Sequence, residues 1–278
     1  GKTIEVFSMK KEVKLIKKIN CLLLRIGASR WLHQFGPKTY ELKQHALALL
    51  LKEAFKLSFR RVSKLLRLLG LDVPSYSALS KMRKRIPLWI WNSLLVLTSD
   101  VKNNFRVAVD GTGFSLSSPS SYYVQRIDRK KPIKRFVKLS AFFSLDSRKF
   151  IALRIRARPR HDTKDFKYLL KKNSSMKKIF ADSAYDAEFI HKLCFKNGIQ
   201  TIIKPKKNVR KGFFRKKQLK NYSEKEYHQR SNIEAGFSSL KRKYGTLVLS
   251  KSFVSKRAEI YCRAIAHNLS LINQETFN

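Results

Sequence analysis

Residues 106–113 read Arg106-Val-Ala-Val-Asp110-Gly-Thr-Gly113, a short alternating run of apolar side chains followed by an acidic residue and two glycines. Alternation with a period of two predicts a β-strand, and the Gly-Thr-Gly sequence predicts a turn at its end. A second apolar run, Ile179-Phe180-Ala181, is followed by Asp182. Adjacent strands could bring the two carboxylates together, so these runs predict an acidic site at the edge of a sheet.

The sequence around these runs predicts an α/β domain over residues 101–278. Lys138–Ser144 and Phe150–Ile155 flank a short polar turn and predict an antiparallel hairpin. A helix after Thr163, a helix over Asp186–Lys196 and a strand over Thr201–Ile203 complete an order of meander, then alternating helix and strand, then a final helix. The very basic stretch Lys204–Lys220 predicts a mobile loop, in which Phe213 and Phe214 are candidates for stacking on unpaired DNA.

Residues 1–100 predict a separate, all-α region. Ser58 and Ser75 are suited to cap two short helices, joined by the turn Asp72-Val-Pro-Ser75, and this pattern over residues 58–86 is typical of a helix-turn-helix. Basic residues on the outer face of the second helix are candidate DNA contacts: Lys81, Arg83 and Lys84. A basic helical hairpin could equally form a dimer contact, and the sequence leaves that alternative open.

Composition favours a polyanionic partner. The 278 residues contain 61 Lys and Arg against 19 Asp and Glu, a formal charge of +42, and the 43% hydrophobic content argues against a disordered chain. No apolar run is long enough to cross a membrane, and no hydrophobic leader follows Gly1, so we expect no membrane or secretory segment and a cytoplasmic protein. The start at Gly1 leaves truncation open.

A third acid lies in the predicted helix from Glu224 to Tyr244. At about 100° per residue, four polar side chains share one face of this helix, Tyr227, Arg230, Glu234 and Lys241, beside an apolar stripe that would dock on the sheet. Mg²⁺ prefers carboxylate oxygens and water, so Glu234 could join the two aspartates in a two-metal site for phosphoryl transfer. The cations Arg230 and Lys241 would then bind backbone phosphates.

The pattern Tyr227-x2-Arg230-x3-Glu234-x6-Lys241 resembles the signature of the DDE transposases of prokaryotic insertion sequences. The resemblance implies a ribonuclease-H-like mixed sheet with flanking helices, in which Asp110, Asp182 and Glu234 are the catalytic and metal-binding residues. It also implies two Mg²⁺ ions, replaceable by Mn²⁺, and Tyr227 positioning the DNA backbone or an adjacent base.

The implied function is binding of the element's terminal inverted repeats, followed by DNA cleavage and strand transfer into target DNA. Joining two element ends implies a homodimer, and a prokaryotic origin implies association with the nucleoid. Two alternatives stay open: a ribonuclease-H-like nuclease without strand transfer, and an inactive copy that only binds DNA. Asp186 and Asp162 compete with Asp182 for the place of the second carboxylate, although each is also suited to cap a helix, and Asp182 is preferred because it ends the apolar strand. His161 has an undecided role near the metal.

Overall fold

The structure is a computed structural model that describes residues 2–33, 35–100, 103–116, 136–158, 160–171, 175–207 and 211–275. These residues form two compact units: Ser99–Lys256, and the described parts of Gly1–Thr98 together with those of Arg257–Asn278. A division close to residue 100 is common to the expected domains and the compact units. The expected domains and the compact units differ in the segment from Arg257 onward: the sequence assigned it to the α/β domain, whereas its described residues group with the N-terminal helices.

The first unit is helical over its described elements. These are α1 (Lys2–Arg25), α2 (Leu42–Ala54), α3 (Phe59–Leu68), α4 (Tyr76–Met82), α5 (Leu88–Thr98) and most of the C-terminal helix Phe253–Glu275. The Ser58 hydroxyl accepts a hydrogen bond from the Arg61 N–H (3.2 Å), and the Ser75 hydroxyl accepts one from the Ala78 N–H (3.3 Å). Both predicted caps are therefore confirmed, and they begin α3 and α4 where the sequence indicates.

Arg83 is buried in this helical unit, contrary to its expected place on an outer face. Its side chain is among the buried polar groups, at 9% exposure. The guanidinium lies 4.8 Å from the centre of the Phe59 ring and 3.8 Å from a carboxylate oxygen of Glu259, which is itself buried. A buried carboxylate requires a compensating charge, so Arg83 stabilises the interior of the unit and is not an exposed DNA contact.

The second unit is built around a six-stranded mixed sheet. The strands are β1 (Arg106–Leu116), β2 (Phe136–Ser144), β3 (Phe150–Arg156), β4 (Lys178–Ala181), β5 (Gln200–Ile203) and β6 (Leu247–Val248). Their order is β3-β2-β1-β4-β5, with β6 beside the far end of β1. The pairs β1–β2 and β2–β3 are antiparallel, whereas β4 and β5 continue the sheet in parallel to β1. An antiparallel meander extended by parallel strands is the ribonuclease-H-like arrangement, as expected.

Helices cover both faces of this sheet. They are α6 (Thr163–Leu170), α7 (Glu188–Lys196), α8 (Phe213–Leu219), α9 (Glu224–Tyr227) and α10 (Ser231–Tyr244). The helices α6 and α7 share a core with one face of β1, which includes Val107, Val109 and Phe166. Because strand residues alternate between faces, Ala108 and Asp110 belong to the other face.

Three local predictions differ from the structure. The strand β1 does not end at Asp110 but continues through the predicted Gly-Thr-Gly turn to Leu116, because β2 pairs with it along that length. The predicted helix Glu224–Tyr244 is interrupted by a 3-10 segment, His228–Arg230. The predicted loop Lys204–Lys220 contains helix α8, while its residues 208–210 lie outside the described part of the chain.

Among the described residues, no helix combines the length and apolar character needed to span a membrane.

Candidate functional site

The register of the central strands explains how Asp110 and Asp182 come together. The parallel pairing of β1 and β4 includes Ala108 opposite Phe180, and β4 ends one residue later at Ala181. Asp110 and Asp182 therefore each lie two residues beyond that pair, on the same face of the sheet. Asp110 is inside its strand rather than at the end, but its neighbour β4 has ended, so the sheet opens beside it.

The pKa of Asp110 depends on the charge of Asp182. Burial raises the pKa of Asp110, and the negative charge of Asp182 raises it further, against the lowering effects of the Gly111 N–H and of Arg230. Asp182 accepts a hydrogen bond from the Ala184 N–H (2.9 Å) and so begins the 3-10 segment Ser183–Tyr185. This bond fixes one oxygen of Asp182 at the end of β4.

Helix α10 lies against the face of the sheet that carries Asp110. Gly236 is the contact point: a Cβ atom there would stand 2.6 Å from Cε2 of Phe143, whose residue pairs with Ala108 across β1 and β2. The absence of a side chain at Gly236 therefore permits the close approach of this helix to the sheet. Ile233, Phe237 and Leu240 are buried on the same helix, which agrees with the predicted apolar stripe.

Arg230 links the sheet to this helix. Its Nη1 donates to Oδ2 of Asp110 (2.9 Å) and its Nη2 donates to Oε1 of Glu234 (2.5 Å). The 3-10 segment before α10 places Arg230 one turn ahead of Glu234, so one guanidinium reaches both acids. Asp110 and Arg230 are largely covered, whereas the Glu234 side chain is 55% exposed.

The other two members of the predicted quartet are Tyr227 and Lys241. The Arg230 guanidinium lies 5.9 Å from the centre of the Tyr227 ring. Lys241 donates to Oγ1 of Thr112 (2.7 Å), and burial lowers the pKa of Lys241. Thr112 was not among the predicted residues, although its position two residues after Asp110 is a signal that both side chains share one face.

The competing acids have other partners. Asp186 is buried and receives hydrogen bonds from Arg215, from His191 and from the Lys206 N–H. Asp162 makes no capping hydrogen bond at the start of α6, contrary to its expected role, and instead pairs with Lys138. His161 is exposed.

The chemistry of the three acids suits a hard divalent ion, but their arrangement is not yet that of a metal site. Asp110, Asp182 and Glu234 offer only oxygen donors, which is the set that Mg²⁺ prefers. Within the ranges that the structure describes, however, no three His, Cys, Asp or Glu side chains are grouped so as to hold a metal ion. The guanidinium of Arg230 stands between two of the acids.

The aromatic pair predicted for DNA stacking lies on helix α8. Phe213 is 70% exposed. The centre of the Phe214 ring lies 5.2 Å from the centre of the Phe213 ring and 5.4 Å from that of Phe195. Lys217 Nζ lies 4.3 Å from the centre of the Phe195 ring. Arg215 of the same helix pairs with the buried Asp186 and so anchors α8.

A basic groove on α3 was not predicted. Its volume is 740 Å³, and it is lined by Arg60, Lys64, Arg67 and neighbouring residues of α3 and α4, including Tyr76. The three cations are exposed, and Arg60 lies 4.9 Å from the centre of the Tyr76 ring. Their spacing of i, i+4 and i+7 was the available sequence signal. Lys81 and Lys84, at α4 and just after it, are also exposed.

Comparisons with solved structures give low overall similarity. The Drosophila P element transposase strand transfer complex is 18% identical with a TM-score of 0.32, covering 69% of this chain, while this chain spans 43% of that one. The Mos1 strand transfer complex is 13% identical with a TM-score of 0.32, covering 86% of this chain and 77% of that one. At such TM-scores these similarities support no argument about function.

No curated protein matches the chain. A family model does: the one described as "Transposase DDE domain" matches residues 106–269, from the first residue of β1 into the C-terminal helix. This match spans more than half of the sequence and includes all three acids of the site. The chain therefore belongs to the DDE transposase family.

Proposed function

We propose that this chain is an insertion-sequence transposase that binds element ends and catalyses metal-dependent DNA cleavage and strand transfer. The observation that carries the proposal is the bridge from Asp110 through Arg230 to Glu234. Asp182 directly follows β4, the strand that pairs with the strand of Asp110. Sheet and helix thus contribute acids to one location, with cations beside them.

In this proposal Asp110, Asp182 and Glu234 are the catalytic residues and hold two Mg²⁺ ions, which Mn²⁺ can replace. Bound metal would activate water or a DNA 3′-hydroxyl and stabilise the leaving oxygen. Lys241, held beside Thr112, and Arg230 bind phosphate oxygens on the DNA backbone. Tyr227 orients Arg230 by its ring and contacts the backbone or an adjacent base.

Other surfaces supply general DNA affinity. Phe213 and Phe214 stack on unpaired bases, supported by the neighbouring lysines of α7 and α8. In the helical unit, the groove cations Arg60, Lys64 and Arg67 bind backbone phosphates together with Lys81 and Lys84. The active complex is a homodimer, since two element ends are joined, and acts on DNA in the prokaryotic nucleoid.

The test is cleavage and joining of a supercoiled plasmid with an added duplex oligonucleotide, in Mg²⁺ or Mn²⁺, comparing wild type with Asp182→Asn. We expect metal-dependent cleavage and covalent joining by the wild type, both lost in the variant. Cleavage without joining would favour a nuclease. Tight DNA binding with no metal-dependent product would favour an inactive copy that only binds DNA.

A further inference from the structure

The ion-pair bridge occupies the oxygens that a metal ion would use. In Asp110, Oδ1 accepts the Gly111 N–H (2.7 Å) and Oδ2 accepts Arg230. The second N–H of the same guanidinium engages Oε1 of Glu234 at 2.5 Å. Arg230 therefore pairs with two of the three acids, and its single positive charge offsets half of their combined negative charge. A divalent cation bound between these acids would meet that like charge.

Arg230 is also well placed to leave. Its partner Glu234 is more than half exposed and lies on a separate element from Asp110, so breaking the bridge requires side-chain rotation rather than movement of the sheet. Arg230 is the last residue of the short 3-10 segment ahead of α10, and its guanidinium lies near the Tyr227 ring. A guanidinium released from carboxylates remains charged at any physiological pH and can pair with a phosphate through the same planar fork.

We propose that Arg230 is an exchangeable counter-cation. It holds Asp110 and Glu234 together in the metal-free protein, is displaced when a divalent ion binds these acids, and is then free to bind a DNA phosphate. Metal and DNA binding are consequently coupled through one side chain, each favouring the other. The inference rests on the proposed function, because it takes Asp110 and Glu234 as metal ligands.

The first test is calorimetric titration of Mn²⁺ into the full chain without DNA. Arg230→Gln should bind Mn²⁺ more tightly than wild type, by about tenfold, since a charge-assisted competitor is removed from two carboxylates. Arg230→Lys, whose compact ammonium cannot bridge both acids in the same way, should be intermediate. Lys241→Gln is the matched control: it removes one positive charge of helix α10, beside Thr112, without breaking an ion pair to either acid, and should change Mn²⁺ affinity much less.

The second test measures coupling. A saturating duplex oligonucleotide should tighten Mn²⁺ binding to wild type more than to Arg230→Gln, after subtraction of Mn²⁺ binding to the DNA alone. A merely structural role for Arg230 does not predict this difference. Thermal unfolding followed by circular dichroism checks that each variant is folded.

The outcomes separate the two proposals. If folded Arg230→Gln binds Mn²⁺ as weakly as wild type or more weakly, the exchange is overturned, while a wild-type site that is lost in Asp182→Asn keeps the metal-dependent function. Equal tightening by Lys241→Gln would also overturn it, because the effect would then be general electrostatics. If wild type and Arg230→Gln both fail to bind Mn²⁺, the metal site of the proposed function fails as well.

Discussion

Asp110 and Asp186 are both shielded from solvent within the same unit, yet their pKa values move in opposite directions. Burial acts to raise the pKa of each. For Asp186, hydrogen bonds from Arg215, the Lys206 N–H and His191 outweigh burial and lower the pKa. For Asp110, one backbone N–H and Arg230 do not outweigh burial and the charge of Asp182, so the pKa is raised.

The difference separates an acid whose hydrogen bonds are satisfied from one that is a candidate for function. The carboxylate of Asp186 is fully used: its oxygens hold Arg215 of α8 at 2.6 and 2.5 Å and His191 of α7 at 3.0 Å. The carboxylate of Asp110 lies beside a second acid, and its one paired cation, Arg230, does not offset both burial and the charge of Asp182. An acid kept in an unfavourable electrostatic environment is a candidate for function. An acid whose oxygens are all hydrogen-bonded, as in Asp186, instead holds neighbouring elements together, and we call Asp186 the tether between α7 and α8.

The largest expected effect is on catalysis by Asp110→Asn. Removal of the charge should lower metal-dependent plasmid cleavage by about a thousandfold or more, since an amide cannot replace a charged metal ligand. The free energy of unfolding should change little or rise, because relief from burying the charge and from repulsion by Asp182 offsets the loss of the Arg230 ion pair. Urea unfolding and cleavage rates measured on the same preparation decide the matter, and substantial residual cleavage would remove Asp110 from the site.

Asp186→Asn should show the reverse pattern in stability. The substitution removes the charge that pairs with the buried Arg215 at 2.5 Å, which we expect to cost about 3–5 kcal/mol of unfolding free energy. The pH dependence has a definite sign. Because the folded pKa of Asp186 lies below its ordinary 3.8, its contribution is present above that pH and is lost as the pH falls through the lowered folded value. Urea titrations at pH 7 and near pH 3 should therefore show a smaller acid-induced loss in the variant, and an unchanged unfolding free energy at pH 7 would contradict the tether.

The same contrast extends to cations of the helical unit. Replacing Arg60, Lys64 and Arg67 together by Gln should weaken duplex DNA binding by roughly tenfold or more and reduce the salt dependence by about 0.9 per lost phosphate contact. Arg83→Gln should instead lower stability, because Glu259 loses a buried partner, and leave the salt slope of the folded protein unchanged. Binding isotherms at several salt concentrations distinguish these results. An Arg83 variant with normal stability and a reduced slope would restore the sequence-based expectation.

The smallest effect concerns the helix that brings Arg230 to Asp110. Gly236→Ala should destabilise the protein by about 1–3 kcal/mol, because the new methyl group meets the ring of Phe143, although Ala favours a helix by about 1 kcal/mol. Displacement of α10 should also reduce cleavage while leaving the Asp186 tether intact. Chemical unfolding gives the sign, and a stabilised variant would show that the helix does not need this close approach.

Much of the site could be predicted because its signals are local. Asp110 and Asp182 follow apolar runs, the spacing of Arg230 and Glu234 suits one helix face, and the structure places Arg230 between Asp110 and Glu234. The caps Ser58 and Ser75 were predictable for the same reason, since a capping bond spans three residues. The catalytic and DNA-binding roles of these residues stay predictions.

The errors occurred where distant residues decide the outcome. The Gly-Thr-Gly sequence suggested a turn, but pairing with β2 extends β1 through it. The basic stretch containing Phe213 suggested a loop, yet Glu188 accepts the N–H groups of Phe214 and Arg215 at 3.0 Å and helps to fix α8. Arg83 looked like any surface cation until Glu259, far along the chain, supplied its partner.

By itself, the sequence determined the periodicity of the strands and helices, the order of the three acids and the strongly basic character of the protein. Only the tertiary structure decided which acids are already satisfied and which cations remain exposed. The physical reason is that the state of a buried charge depends on partners brought by other elements: Arg215 and His191 for Asp186, Asp182 and Arg230 for Asp110.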